Sequence, residues 1–196
     1  MKRFTAVFFG LVLLSTAAIS QTGGWKLDKA HSKVSFTVKH MVISEVEGSF
    51  DDFDITVNAS KPDFTDGTLT ASVKVASINT ENAGRDRHLK SDDFFNAELY
   101  PEIVFKGTSV EQMADGKYKI NGNLTIRDVT KPVTFDADFN GTLQTSRGML
   151  SAWKATLALN RFDYGLKWNK TLETGGLIVG ETVTITLRLE FDKTNS

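Results

Sequence analysis

The chain contains no cysteine. That absence excludes disulfides, thiolate zinc centres, iron–sulfur clusters and cysteine nucleophiles, together with any lipid anchor attached through a cysteine. Proline and histidine are scarce, at 3 residues each. Neither sign of charge dominates, since 23 basic residues stand against 24 acidic ones. Nucleic-acid binding requires a concentrated basic face, so this balance argues against it. No apolar run in the mature chain is long enough to cross a membrane as a helix. There is no Gly-x-Ser-x-Gly elbow, and Gly23-Gly24 and Gly175-Gly176 are isolated doublets rather than a phosphate-binding loop.

The first 20 residues stand apart. Lys2 and Arg3 precede an apolar stretch from Ala6 to Leu14, and Ala18-Ile19-Ser20 offers small residues at both positions that govern cleavage. This is the pattern of a secretory signal peptide, residues 1–20, cut before Gln21. It predicts a mature domain of residues 21–196 located in the periplasm. Export without disulfides fits that compartment better than it fits a small stapled module, and a domain of this length can bury a sufficient core unaided. Without Lys2 and Arg3 the basic count falls from 23 to 21 against 24 acidic residues, a net charge of −3.

What is abundant is phenylalanine, 14 residues, set in runs that alternate apolar and polar positions. Val34, Phe36 and Val38 point one way while Ser35, Thr37 and Lys39 point the other. The pattern returns at Phe53-Ile55-Val57, Leu69-Ala71-Val73-Val75, Ile103–Val110, Tyr118–Ile126, Val133–Phe139, Trp153–Leu159 and Val183–Phe191. Asp66-Gly67 and Asp115-Gly116 supply turn chemistry, and Gly48 reads as a bulge or a point of close approach. Asn121-Gly122 invites a second bend or a bulge, and Lys131-Pro132 is expected to break its run. About eight strands spaced by turns predict an all-β, antiparallel barrel or sandwich. Closure is favoured because strands this long would otherwise leave exposed edges. A barrel of about eight strands is either filled by its own side chains or holds one ligand. The interior-facing set is expected to include Phe36, Val38, Val73, Phe105, Phe135 and Trp153, although a slip of one residue would exchange the faces.

One stretch, Ser77 to Pro101, does not alternate. Asn79 or Thr80 can cap a short helix, Ser91 can cap a second turn, and Pro101 returns the chain to an extended run. Charges crowd its middle, and Phe94 and Phe95 follow. It reads either as a polar connection closing one end of the β-structure or as a lid. In the lid reading Arg85 and His88, three apart on a helix, turn together toward a ligand's polar head while Phe94 and Phe95 cover its tail. In the other, Arg85 pairs with Asp86 and only fixes the segment. A second polar-aromatic cluster lies at Asn160 to Trp168, where Arg161 can pair with Asp163 and Trp168 can cover a barrel mouth.

His31, His40 and His88 show no metal-ligand spacing, so no metal and no cofactor is expected; each reads as a hydrogen-bonded residue at a strand end or loop. Asp51-Asp52 and Asp92-Asp93 are adjacent and would face opposite sides of a strand, which suits solvated carboxylates rather than a catalytic pair.

Several of these residues together resemble the YceI-like proteins. The opening Trp25…Leu27-Asp28…His31-Ser32…Phe36…Val38-Lys39-His40-Met41 is similar to that family's, as are Gly48-Ser49-Phe50 and Arg85-Asp86-x-His88-Leu89-Lys90-Ser91-x-Asp93-Phe94-Phe95 with Tyr100-Pro101. Gly122-x-Leu124-Thr125-Ile126, Val129-Thr130-Lys131-Pro132-Val133, Asn160-Arg161-x-Asp163-x-Gly165 and Val179-Gly180-x-x-Val183 continue the match in order. Asp128 departs from it, standing where many relatives carry glycine. The resemblance implies a lipocalin-like antiparallel barrel with a helical insertion and no agreed enzymatic activity. It implies a polyisoprenoid, isoprenoid quinone or other long-chain lipid as the ligand. A polar head would then sit at the mouth, where Arg85, Arg87, His88 and Arg161 are available donors and Trp168 is close by. The alternative is an enzyme or stress-response factor acting on a small apolar substrate, with His88 as general base. The sequence leaves open whether the chain forms a homodimer.

Overall fold

Each alternating run becomes a strand. The computed structural model describes residues 24–146, 148–171 and 177–194; the predicted signal peptide with its cleavage site, Gly23 and the Gly175-Gly176 doublet lie outside them. The strands are β1 (Gly24–Leu27), β2 (Lys33–His40), β3 (Ser44–Phe50), β4 (Phe53–Asn58), β5 (Thr68–Lys74) and the short β6 (Ile78–Asn79). After helix α1 (Ala83–Lys90) come β7 (Glu102–Ala114), β8 (Lys117–Ile126), β9 (Val129–Thr145), β10 (Gly148–Asn160) and β11 (Val179–Lys193).

All paired strands run antiparallel. Around the ring the order is β1-β4-β5-β7-β8-β9-β10-β11, and β1 pairs back onto β11 through Trp25 with Lys193 and Leu27 with Phe191. That pairing closes an eight-stranded barrel and removes the edges that long strands would expose. β2, β3 and β6 extend the same sheet from β11. β11 can serve both neighbours because it spans 15 residues: its end faces β1 while Val183 to Arg188 face Val38 to Lys33 of β2. β1 and β2 are two halves of one stave, separated by the turn after Leu27.

The period-two pattern decides which residues are buried. Phe135 and Ala137 of β9 are buried while Thr134 and Asp136 are exposed, and Phe53 and Ile55 of β4 are buried against exposed Asp54 and Thr56. The outer face carries cross-strand ion pairs, Lys117 with Asp138 and Lys119 with Asp136. Exposed pairs of this kind add about 1 kcal/mol or less.

The β2–β3 hairpin, the β8–β9 turn, the β10–β11 connection and α1 gather at one end of the barrel, the upper end. The β7–β8 and β9–β10 hairpins and the loop between β4 and β5 form the lower end.

Three local expectations are corrected. The N-cap of α1 is Asn82, whose side chain accepts from the Arg85 amide at 3.0 Å, rather than Asn79 or Thr80. Ser91 is the C-cap of α1, its hydroxyl donating to the His88 carbonyl at 2.8 Å. A turn does follow, with the Phe94 amide donating to the Ser91 carbonyl at 3.1 Å, but the Ser91 side chain does not cap it. Pro132 does not break β9: it pairs with Asn123 of β8, and β10 joins the other edge of β9 only from Asp136 onward. A proline is tolerated where one edge of its strand is unpaired. At Asn121-Gly122 the expected irregularity is a bulge rather than a bend: Gly122 pairs with Gly107 and Asn121 with Ser109, which leaves Thr108 of β7 as the extra residue. The Phe105 ring lies over Gly122, where any Cβ would collide with it. Gly48 accommodates the ring of Phe36 in the same way.

Candidate ligand cavity

Inside the barrel lies a cavity of about 150 Å³. Phe36, Val73, Phe105, Phe135 and Trp153, five of the six expected interior residues, line it. Val38 is half-buried and is not among the lining residues; it sits one step above Phe36 on β2, opposite Val46 and Val183. Among the described residues that form the wall none is charged, and only Ser35 and Ser151 bear hydroxyls. Ser35 spends its hydroxyl on the Thr186 carbonyl at 3.0 Å.

The lower end is closed by aromatic rings. Phe64, carried on the β4–β5 loop, packs against Trp25, Phe139 and Trp153 with ring centroids 5.0 to 5.4 Å apart. Trp153 in turn meets Phe139 at 4.6 Å and Tyr118 at 5.1 Å. Phe64 holds a left-handed backbone, φ 58°, a conformation that costs a non-glycine residue about 1–3 kcal/mol and persists only where packing enforces it. Here the packing is the plug itself. Phe64 and Trp25 were not among the expected site residues: a phenylalanine in a turn carries no periodic signal, and Trp25 stands in a strand of only 4 residues.

The upper end is covered by α1 and the residues after it. Phe95 packs edge-on against Phe50 at 6.1 Å, and Phe50 meets Phe36 at 5.7 Å, so a file of rings leads from the cover to the cavity wall. Phe94 is buried but turned elsewhere: its ring meets His88 at 5.1 Å and Trp168 at 5.3 Å. His88 stands edge-on to Trp168 at 5.0 Å and its Nε2 lies 2.8 Å from Asp93 Oδ2. His88, Phe94 and Trp168 are thus brought together outside the cavity wall, while Phe95 alone joins the interior packing.

Three of the four expected head-group donors, Arg85, His88 and Arg161, have protein partners, whereas Arg87 is exposed on α1 and its side chain makes no hydrogen bond or ion pair among the described residues. Arg85 donates Nε to the Thr80 hydroxyl and Nη2 to the Thr80 carbonyl, each at 2.8 Å. Arg161 is 3 % exposed; it donates to the carbonyls of Gly180, Leu166, Trp168 and Val179. Burial pulls its pKa down from the ordinary arginine value, an effect that Glu181 partly opposes. Its guanidinium lies 4.4 Å above the Phe162 ring, and Asp163 faces Lys131 at 3.6 Å rather than Arg161. Arg127, which the pattern did not single out, donates to the carbonyls of Phe94 at 3.0 Å and Gly165 at 3.4 Å. It ties the cover to the β10–β11 connection. Arg85 and His88 lie three apart on α1 yet serve different neighbours, Thr80 and Asp93.

The other histidines are bonded locally. His40 Nδ1 lies 3.5 Å from Ser44 Oγ. His31 Nδ1 is 2.8 Å from Asp28 Oδ2, a bond that holds the Asp28 carboxyl below the usual carboxylate range. Glu190 also approaches this pair, so that ligand atoms of Asp28, His31 and Glu190 lie within 4.8 Å of one another, a grouping invisible to sequence spacing.

A closed antiparallel barrel with an uncharged aromatic interior has the geometry to enclose a small apolar guest. The family model described as the YceI-like domain matches residues 25–191, and the chain belongs to that family. A UPF0312 protein of Staphylococcus aureus is 39% identical over 166 residues, covering 84% of this chain and 94% of that protein. The crystal structure of a Campylobacter jejuni YceI protein is 30% identical with a TM-score of 0.68, covering 87% of this chain and 97% of that one. A structure described as a polyisoprenoid binding domain from Saccharophagus degradans, implicated in plant cell wall breakdown, superposes with a TM-score of 0.63. It is 14% identical, covers 87% of this chain and 98% of that one, and shares the fold.

Proposed function

We propose that this protein binds and carries a long-chain apolar ligand, a polyisoprenoid, isoprenoid quinone or similar lipid, in the barrel interior, and that it does so in the periplasm. The observation that carries the reading is the cavity wall, which is aromatic and aliphatic and bears no charge. Each methylene-sized group entering such a wall gains about 0.8 kcal/mol, offset in part by the cost of ordering the chain. An apolar cavity of this size accepts a guest of about one benzene ring, so a longer chain must also displace the rings of Phe95 and Phe50 at the upper end. The ligand described for the Saccharophagus degradans domain lends support at the level of a shared fold.

Binding without catalysis is the favoured reading. A general base at His88 would need access to the bound substrate, whereas its ring contacts Asp93, Phe94 and Trp168 and takes no part in the cavity wall. Native mass spectrometry of the protein, gently extracted from cells, tests the carrier reading: a co-purifying prenyl lipid is expected, and a protein that takes up no lipid before or after delipidation overturns it. Cell fractionation with intact-mass measurement tests the location. A chain starting at Gln21 in the periplasmic fraction is expected, and a retained Met1 in the cytoplasm would refute export.

A further inference from the structure

The cavity holds one polar atom with nothing to bond. Ser151 lies on the inner face of β10, opposite Phe191 of β11, and its neighbours on that face are Trp153 and Ala155. It is 1 % exposed and lines the cavity. Its Oγ has no hydrogen-bond partner among the described residues, whereas the only other wall hydroxyl, Ser35, is satisfied. A buried hydroxyl without a partner opposes folding, and an alanine of nearly the same size would avoid that cost.

Resting on the carrier reading, we propose that Ser151 is the recognition point for a neutral oxygen on the ligand, and that an oxygen-bearing lipid enters this barrel head first. Ser151 lies near the lower end, in the part of β10 that follows the β9–β10 hairpin, next to Trp153 of the aromatic plug. A serine hydroxyl both donates and accepts, so it can pair with a carbonyl, an ether or an alcohol. It cannot neutralise a phosphate, and the wall around it has no cation. At the upper end Arg85 and Arg161 are engaged with Thr80 and with four backbone carbonyls, and Arg87 is exposed on α1 and takes no part in the cavity wall. The ligand class is therefore an apolar chain ending in an uncharged oxygen function. Its head lies in the lower part of the cavity, and its tail runs upward past Phe36 toward Phe95.

Titrating the delipidated wild-type protein and Ser151→Ala with matched probes tests this. The probes are a prenylated benzoquinone, the prenyl alcohol with the same tail and the corresponding hydrocarbon. Ser151→Ala is expected to weaken the quinone, the alcohol or both by about tenfold, equivalent to about 1.4 kcal/mol, and to change hydrocarbon binding less than twofold. Loss for the quinone alone identifies a carbonyl head, and loss for the alcohol alone a hydroxyl head. Ser151→Thr keeps the hydroxyl and should retain the wild-type discrimination. Without ligand, Ser151→Ala should melt at or above the wild-type temperature, because it removes an unsatisfied buried group. Equal losses for all three probes, or no loss for any, overturn the proposal while leaving the carrier reading intact. Failure of the wild-type protein to bind any of the three removes both.

Discussion

Arg85 reaches back from α1 to grip Thr80 twice, at the hydroxyl and at the carbonyl, both at 2.8 Å. Asp86 takes the same residue from the other side, accepting from the Thr80 amide at 2.9 Å and from its hydroxyl. Adjacent opposite charges thus meet through a buried threonine rather than directly, and they fix the cover to the end of β6. Arg85→Ala is therefore expected to act on stability first. A charge-assisted bond at a partly exposed site is worth about 1 kcal/mol, which lowers Tm by about 2–4 °C in a domain of this size. Prenyl diphosphate and prenyl alcohol should weaken by the same factor. A selective loss of the diphosphate would return Arg85 to the role of head-group donor.

The file of rings from Phe95 through Phe50 to Phe36 predicts a gate. Phe95→Ala should speed uptake of a long prenyl chain several-fold in stopped-flow measurements, at a stability cost of about 2 kcal/mol for a half-buried ring. An unchanged rate would place the entrance elsewhere. By contrast, Phe135→Asp puts a charge on the cavity wall and should abolish uptake in whatever fraction still shows a β-rich circular dichroism spectrum.

Gly122 lies under the Phe105 ring with no room for a methyl group. Gly122→Ala must push Phe105 further into the cavity or distort β8. Overpacking of this kind costs about 1–3 kcal/mol, and lipid capacity should fall with it. Urea denaturation and titration of lipid uptake measure the two effects, and wild-type values for both would contradict the close approach.

Arg161 satisfies four carbonyls of the β10–β11 connection from a buried position. Arg161→Lys keeps the charge but loses the planar fork, and with three N–H donors for four carbonyls at least one carbonyl loses its donor at about 1–3 kcal/mol. A drop of several degrees in Tm is expected. A variant as stable as wild type would show that the fork is dispensable.

Tyr164 is 2 % exposed and its hydroxyl has no partner among the described residues. Burial pushes its pKa above the ordinary phenol value of 10.0, with Asp163 adding to the rise, and burial does the same to Tyr118. A raised pKa means that the folded state keeps its proton while the unfolded state loses it. The contribution is therefore fully present below about pH 10 and is lost as the pH climbs through the folded value. Tyr164→Phe should leave stability at neutral pH unchanged or slightly higher and should shift alkaline unfolding to higher pH. Absorbance at the phenolate band and circular dichroism, followed together, check this. A marked loss of stability at neutral pH would reveal a bonded hydroxyl.

Much of this molecule is legible from the order of its residues. Alternation at Val133–Phe139 and Val183–Phe191 marks strands because side chains on a strand have a period of two, and the same alternation correctly put Phe36, Phe105, Phe135 and Trp153 on one wall. The family too is visible in linear motifs. Sequence also located the non-alternating segment that became α1, although its cap moved to Asn82, since several neighbouring Asn, Thr and Ser residues can serve as caps and only the packed geometry selects one.

Other features depend on residues that meet only when the chain closes. Period-two alternation distinguishes two faces, yet closure rests on Trp25 finding Lys193 and Leu27 finding Phe191 across the length of the domain. Side-chain charge announces a donor without naming its acceptor; Arg161 had an apparent partner two residues away in Asp163 and took four carbonyls instead, because burial rewards the complete set of hydrogen bonds. Phe64 seals the base through a left-handed turn that no pattern signals, and Ser151 is an ordinary polar letter in a strand until the barrel turns its hydroxyl inward. Local periodicity and motif determined the strands, the walls and the family. The tertiary structure alone decided which polar atoms are spent on the protein and which buried ones stay unpaired, since that depends on distances between residues far apart in sequence.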